Sequence, residues 1–369
     1  MSLSYLIWNG SPEIFSLGSF TLRWYGLLFA SGFLISQQLL YHMFKKEGKP
    51  ERDVETLTIH MIVATIIGAR LGHVIFYEPA MLWEDPLQVF LPFELKPFRF
   101  TGLQGLASHG AAIGILFGLW LYSRKRKPGQ NYLQILDRIV ILVALTGALI
   151  RLGNFFNSEI IGKPSNGPLS VVFINRVVDA IMDDEKNGIV ETVSVIKDKE
   201  APEGQSGRVP ILIYIFFKPN TSGEQVDAYM RQVRQYLTHP ALSEFVDEPT
   251  LQSLRYKTAQ EKEGVLVSKV STMGIARHPA QLYESISCLL LFAFLFWYWN
   301  KYKEHLPTGR IFGFFMIILW SLRFCYEFLK ENQEAFEDSL ALNMGQILSI
   351  PLVLVGILIL TRSYRQKLD

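Results

Sequence analysis

Four cationic residues, Arg70, His109, Arg151 and Arg323, fall inside apolar runs of this sequence. A charge in a run that crosses a bilayer is costly, and it is retained where it meets a polar cavity or a ligand. Arginine keeps its charge when poorly hydrated and presents a planar fork of donors that fits phosphate bidentately. Where phosphate departs, the same fork stabilises the charge that grows on it. A histidine near neutral pH is the natural acceptor for a nucleophile's proton. The set therefore points to a cationic pocket for an anionic lipid head group as substrate, with His109 as the candidate base.

Neighbouring polar residues follow helical spacing. Arg151, Asn154 and Ser158 form one stripe, and Gly147 extends that face with no side chain. Arg323, Tyr326, Glu327 and Lys330 form a second, and Arg70, His73 and Tyr77 a third. A polar stripe inside a span faces protein or water and avoids lipid. Asn154 and Asn157 suit head-group hydroxyls, and Glu159 could orient an arginine or a polar group of the substrate. Plainer readings stand beside these. Arg323 and Glu327, four residues apart, make a structural ion pair. His109 suits an interhelical donor. Arg23, Trp24 and Tyr25 suit an interfacial anchor. Lys330 suits a side chain snorkelling to the interface.

The elements that must position these groups are read from composition. Of 369 residues, 49% are hydrophobic and only 19% charged, too apolar for an ordinary soluble chain. Apolar runs at 19–43, 55–77, 103–123, 133–157, 281–300, 310–330 and 344–362 predict a polytopic α-helical membrane protein with about seven transmembrane helices. Lys45, Lys46, Lys49 and Arg52 follow the first run, and Arg124 to Lys127 follow the third. Lys301, Lys303 and Arg310 join the fifth to the sixth, and Arg362, Arg365 and Lys367 close the chain. The positive-inside rule puts those linkers in the cytoplasm, the N-terminus outside and the C-terminus cytoplasmic. With a rise of about 1.5 Å per residue, Arg70, His109, Arg151 and Arg323 then lie roughly 9–11 Å from the outer ends of their spans. Tyr25 enters the same zone.

Residues 158–277 are too polar to stay in the bilayer and predict an extracytoplasmic α+β insertion. Ile189–Lys197, Val209–Lys218 and Gly264–Val270 read as strands, and Ser222–Leu237 as a capped amphipathic helix. The expected organisation is 1–157 (helices 1–4), 158–277 (head insertion) and 278–369 (helices 5–7). The opening lacks the pattern of a cleavable signal peptide, so the first span is expected to act as the insertion signal. Two cysteines, Cys288 and Cys325, build no disulfide framework or zinc site. Phosphate-loop, H-E-x-x-H, G-x-S-x-G and paired D-x-x-D motifs are absent, so no metal or other cofactor is expected. A net charge of +2 gives no nucleic-acid signal.

Arg151-Leu152-Gly153-Asn154-Phe155-Phe156-Asn157-Ser158-Glu159-Ile160-Ile161-Gly162 resembles the signature of bacterial phosphatidylglycerol–prolipoprotein diacylglyceryl transferases. In the family's order come Trp24-Tyr25-Gly26, Gly68-Ala69-Arg70-Leu71-Gly72, Ser108-His109-Gly110, Arg277-His278-Pro279-Ala280-Gln281-Leu282-Tyr283-Glu284, Arg323 with Glu327, and Met344 to Pro351. The resemblance implies transfer of a diacylglyceryl group from phosphatidylglycerol to the lipobox cysteine of a prolipoprotein. The setting it implies is the outer face of the bacterial inner membrane. It implies roles for Tyr25, His109, Arg151, Asn154, Glu159 and Arg323. Arg70, Asn157, Gln281 and Glu327, in the same motifs, are expected to contact substrate. Ile150 and Ala111 replace glycines usual in the family, and Lys330 stands where relatives often carry arginine. The head is longer than usual. A transporter or binder of an anionic lipid or solute would use the same arginines, but the odd span count and the lack of a repeat speak against it.

Overall fold

The computed structural model describes residues 5–18, 20–84, 89, 93–95, 98–100, 105, 107–182, 188–202, 204, 206–260, 264–331 and 340–365. In chain order the elements are β1 (Tyr5–Trp8), β2 (Glu13–Leu17), β3 (Phe20–Arg23), α1 (Trp24–Lys46), α2 (Arg52–Tyr77), α3 (Met81–Glu84), β4 (Phe93–Leu95) and β5 (Phe98–Phe100). There follow α4 (Ser108–Ser123), α5 (Tyr132–Phe156), β6 (Ser170–Phe173), α6 (Asn175–Met182), β7 (Val190–Lys197), β8 (Arg208–Phe217) and α7 (Gly223–Leu237). The chain ends with β9 (Val246–Asp247), β10 (Tyr256–Gln260), β11 (Leu266–Arg277), α8 (Ala280–Tyr302), α9 (Arg310–Glu327) and α10 (Met344–Arg365).

Among the described residues, five helices are long and apolar enough to cross a membrane: α1, α2, α5, α8 and α10. Two other expected spans look different. α4 has 16 residues, about 24 Å of helix, and the expected span start at 103 lies outside the described residues. α9 has 18 residues and carries Arg310, Arg323 and Glu327.

The chain forms two compact units. One comprises Met1–Ala30, Ala148–Ser287 and Leu322–Ser349, and the other Ser31–Gly147, Cys288–Ser321 and Ile350–Asp369. The first is built on a seven-stranded sheet of order β1-β6-β11-β8-β7, with β9 and β10 also paired to β11. β1 runs parallel to β6, and β11 is antiparallel to β6, β8, β9 and β10. Alternate residues of β8, Ile211, Ile213, Ile215 and Phe217, enter the core beneath α6 and α7. α7 starts at a capping box, in which Ser222 Oγ accepts from Gln225 N and Gln225 Oε1 accepts from Ser222 N. Its Val226, Tyr229, Met230, Val233 and Leu237 are buried in that core, at the spacing of a single helix face. The strands and helix expected at 189–197, 209–218 and 222–237 match β7, β8 and α7. The strand expected at 264–270 is the start of the longer β11.

In the second unit, α2 and α4 pack backbone to backbone. A Cβ on Gly68 would meet the Gly110 carbonyl oxygen at 2.5 Å and Gly114 Cα at 2.8 Å. One on Gly72 would meet Gly110 Cα at 2.6 Å. Without water between helices in a bilayer, such small-residue faces let dispersion and close packing hold the pair. Elsewhere in this unit, Asp137 of α5 is fully buried and accepts from the amides of Gly309 (2.7 Å) and Phe312 (2.8 Å). A carboxylate there satisfies donors that the start of α9 would otherwise leave unpaired.

Candidate functional site

Eight of the ten expected site residues lie in the first unit, together with further charged and polar partners. The end of α5 carries Arg151 and Asn154, and the loop after it carries Asn157 and Glu159. Arg151 Nε lies 2.5 Å from Glu284 Oε2, in the first turns of α8. Glu284 also pairs with Lys330 through its other oxygen. Lys330 reaches Glu327 Oε1 at 3.6 Å, and the same oxygen is 3.7 Å from Arg323 Nε. Arg151, Glu284, Lys330, Glu327 and Arg323 thus form one chain of alternating charge across the ends of three helices. Glu327 is held further by Asn343 Nδ2 at 3.2 Å, and Gly345 leaves it room, since a Cβ there would meet its carboxyl carbon at 2.6 Å.

Lys330 corrects the snorkelling reading. It is buried, close to two carboxylates, and its backbone is bridged to Gly162. Sequence reasoning also missed Glu284 as the partner of Arg151. The available signal was an acidic residue one turn inside an apolar helix, where a partner is required.

Glu159 collects polar contacts. Gln281 Nε2 donates to its carbonyl at 2.6 Å, and Asn154 Nδ2 to its carboxylate at 3.5 Å. Arg176 at the start of α6 stands 3.8 Å from the same side chain. Ser158 and Ile160 on either side take left-handed backbone angles (φ 52° and 56°). For non-glycine residues each such angle costs about 1–3 kcal/mol and persists only where neighbours enforce it. Ser158 Oγ donates to Asn175 Oδ1 at 2.7 Å, which is one such restraint. Arg277 is another: it donates to Glu244 O, Gly162 O and Glu331 Oε1 at 2.7, 3.1 and 2.7 Å.

Among the described residues, Asn154 Oδ1, Asn157 Oδ1 and Gln281 Oε1 are buried with no hydrogen-bond partner. A buried acceptor left unmet costs about 1–3 kcal/mol, so three near one loop mark places for an external donor. Tyr25, at the start of α1, packs on Gly153, where a Cβ would come within 2.9 Å of its ring. Trp24 stacks on Phe156 at 4.9 Å.

Arg70 and His109 belong to the second unit. Arg70 is buried, and its Nε donates to Val89 O at 2.9 Å, with Nη1 directed at Gly105 O and Nη2 at Met81 Sδ. Three of its nitrogens thus have acceptors within the chain, which ties down the connection between α2 and α4. His109 is exposed at the start of α4. Its ring sits edge-on to Phe76 at 4.9 Å and tilted against Tyr77 at 6.0 Å. His73 stacks on Tyr77 at 5.4 Å and faces Glu78 at 3.5 Å.

The family model described as prolipoprotein diacylglyceryl transferase matches residues 12–362. The chain belongs to that family. Relatives named phosphatidylglycerol–prolipoprotein diacylglyceryl transferase extend over nearly its whole length. The Chloroherpeton thalassium protein is 32% identical over 366 residues, covering 98% of this chain and 96% of the relative. The Bacteroides fragilis protein is 31% identical over 353 residues, covering 95% and 92%. The Tolumonas auensis protein is 29% identical over 362 residues, covering 98% and 99%. For this member of the prolipoprotein diacylglyceryl transferase family, the five-residue charge chain and the restrained loop at 157–162 are the polar centre of the first unit.

Proposed function

We propose that this chain transfers the diacylglyceryl group of phosphatidylglycerol to the lipobox cysteine of prolipoproteins, the first lipidation step of lipoprotein maturation. The observation that carries the reading is the pair of arginines, Arg151 and Arg323, at the two ends of the charge chain. Each is steadied by a buried carboxylate, in a sequence that matches the family over residues 12–362. Arginine held in place needs no reorganisation when a phosphate arrives, so its field acts at full strength on the leaving group.

The lipid phosphate docks on Arg151 and Arg323. An unperturbed cysteine thiol has a pKa of about 8.5, so most of it is protonated near neutral pH and a base is needed. His109 is assigned that proton on its chemistry. The thiolate attacks the diacylglyceryl carbon bonded to the phosphate oxygen, the C–S bond forms as the C–O bond breaks, and glycerol phosphate leaves with the electron pair. Asn154, Asn157 and Gln281 offer acceptors for the hydroxyls of the head group. Tyr25, Glu159 and Glu327 order the surrounding side chains.

The membrane arrangement is part of the proposal. α1, α2, α4, α5, α8, α9 and α10 are the seven spans, with the N-terminus outside and the basic linkers cytoplasmic. The protein then sits in the bacterial inner membrane with its chemistry toward the periplasm, where phosphatidylglycerol enters from the outer leaflet. Purified protein given phosphatidylglycerol and a lipobox peptide tests the reaction by mass spectrometry. A diacylglyceryl adduct on the peptide, absent with a Cys→Ser peptide, is expected. Folded, lipid-supplied protein that yields no adduct overturns the reading and favours the transporter.

A further inference from the structure

We propose that Lys330 is a positioning residue for the lipid phosphate, acting through the two glutamates that hold the arginines. The inference rests on the functional reading above. Exposure is graded along the charge chain. The Lys330 side chain is 7% exposed, Glu327 9% and Glu284 11%, whereas Arg151 and Arg323 at the ends are 26% and 42% exposed. The buried middle is therefore the fixed part, and the arginines are the part a ligand can reach. Lys330 is anchored by its backbone as well as its charge. It bridges Gly162, and the neighbouring Lys163 amide donates to Leu329 O at 2.7 Å, so the ammonium stands on the restrained site loop.

Charge arithmetic gives the lysine its role. Within these five residues three cations stand against two carboxylates, a surplus of one positive charge that complements a phosphodiester. With Lys330 neutralised, two poorly hydrated carboxylates face two arginines. Each carboxylate then draws its arginine into a tighter internal pair or takes up a proton, and the surplus charge for phosphate is lost. Lys330 thus competes with Arg151 and Arg323 for Glu284 and Glu327.

The test compares wild type, K330M, K330R, E284Q and the K330M/E284Q pair as purified, folded proteins in the transfer assay, with phosphatidylglycerol and lipobox peptide varied separately. K330M should lose about tenfold or more in kcat/KM for phosphatidylglycerol while the KM for peptide stays put. K330R should recover most of that loss, since it restores charge at the same place. K330M and E284Q, acting through one chain, should combine to much less than the product of their separate losses. K330M with wild-type kinetics, or losses that multiply, would overturn the inference. So would K330R remaining as impaired as K330M in a folded state that melts like wild type. Wild-type protein without transfer activity would instead sink the functional reading, so the two failures are separable.

Discussion

Glu284 Oε2 lies 2.5 Å from Arg151 Nε, which joins the first turns of α8 to the end of α5 inside one compact unit. The contact fixes the direction of the guanidinium. Its counterpart is Glu327 beside Arg323.

Arg151→Ala and Arg323→Ala should each lower transfer by about 100-fold or more, the usual effect of removing one preorganised donor from a developing charge. Protein yield and the melting profile in detergent should change little, because both side chains are partly exposed. Steady-state kinetics on the purified variants is the check. Wild-type turnover in either would remove the phosphate role.

Gly153→Ala should impair transfer more than stability. The new methyl would lie 2.9 Å from Tyr25 Cδ2 and 3.1 Å from Tyr25 Cα, so the start of α1 must shift. A displacement of about 1 Å in a positioning element can cost about 100-fold in rate. Kinetics and a thermal melt on the same preparation separate the two effects.

Gly68→Ala should act on stability first. Its methyl meets backbone of α4, the Gly110 oxygen at 2.5 Å, and backbone cannot swing aside as a side chain can. Overpacking of this kind costs about 1–3 kcal/mol, read as a lower melting temperature in detergent.

Acid should weaken the protein through Glu47, between α1 and α2. Burial pushes this carboxyl up, but Arg138, Lys49 and the Trp299 indole outweigh it and hold it below the ordinary glutamate range. Arg138 Nη2 stands 2.9 Å away, Lys49 Nζ 2.5 Å and Trp299 Nε1 2.6 Å. A carboxylate with a lowered folded pKa stabilises fully above its unfolded value, near 4.5 here. That contribution is lost as pH falls through the lower folded value. Glu47→Gln, which leaves Arg138 short of its partner, should cost about 3–5 kcal/mol at neutral pH and flatten the acid-side loss. Melting temperature against pH for both proteins measures it.

Much of this was legible in the sequence. The five long apolar helices follow from hydrophobic runs of sufficient length, and α7 from its Ser222/Gln225 cap with apolar residues at helical spacing. The stripe of Arg151 and Asn154 and the Arg323–Glu327 pair are local relations, so spacing alone exposes them. What escaped was long-range. β1 pairs with β6 from the far side of five helices, and nothing in Tyr5–Trp8 announces its partner. Glu284 meets Arg151 across a whole inserted module. Lys330 looked like an interfacial side chain because it follows α9, and its burial depends on carboxylates contributed from two elements. Arg70 sits on a polar stripe as expected, yet its acceptors are the Val89 and Gly105 carbonyls and the Met81 sulfur, whose positions the sequence does not specify.

The most direct test of the central claim is a stoichiometry. Purified protein with phosphatidylglycerol and a lipobox peptide would be followed for thioether-linked peptide and free glycerol phosphate in the same tubes. One glycerol phosphate released per peptide modified, with both signals lost in Arg151→Ala, is the predicted result. Glycerol phosphate released without peptide modification, or phosphatidylglycerol bound and moved with neither product formed, would contradict the account.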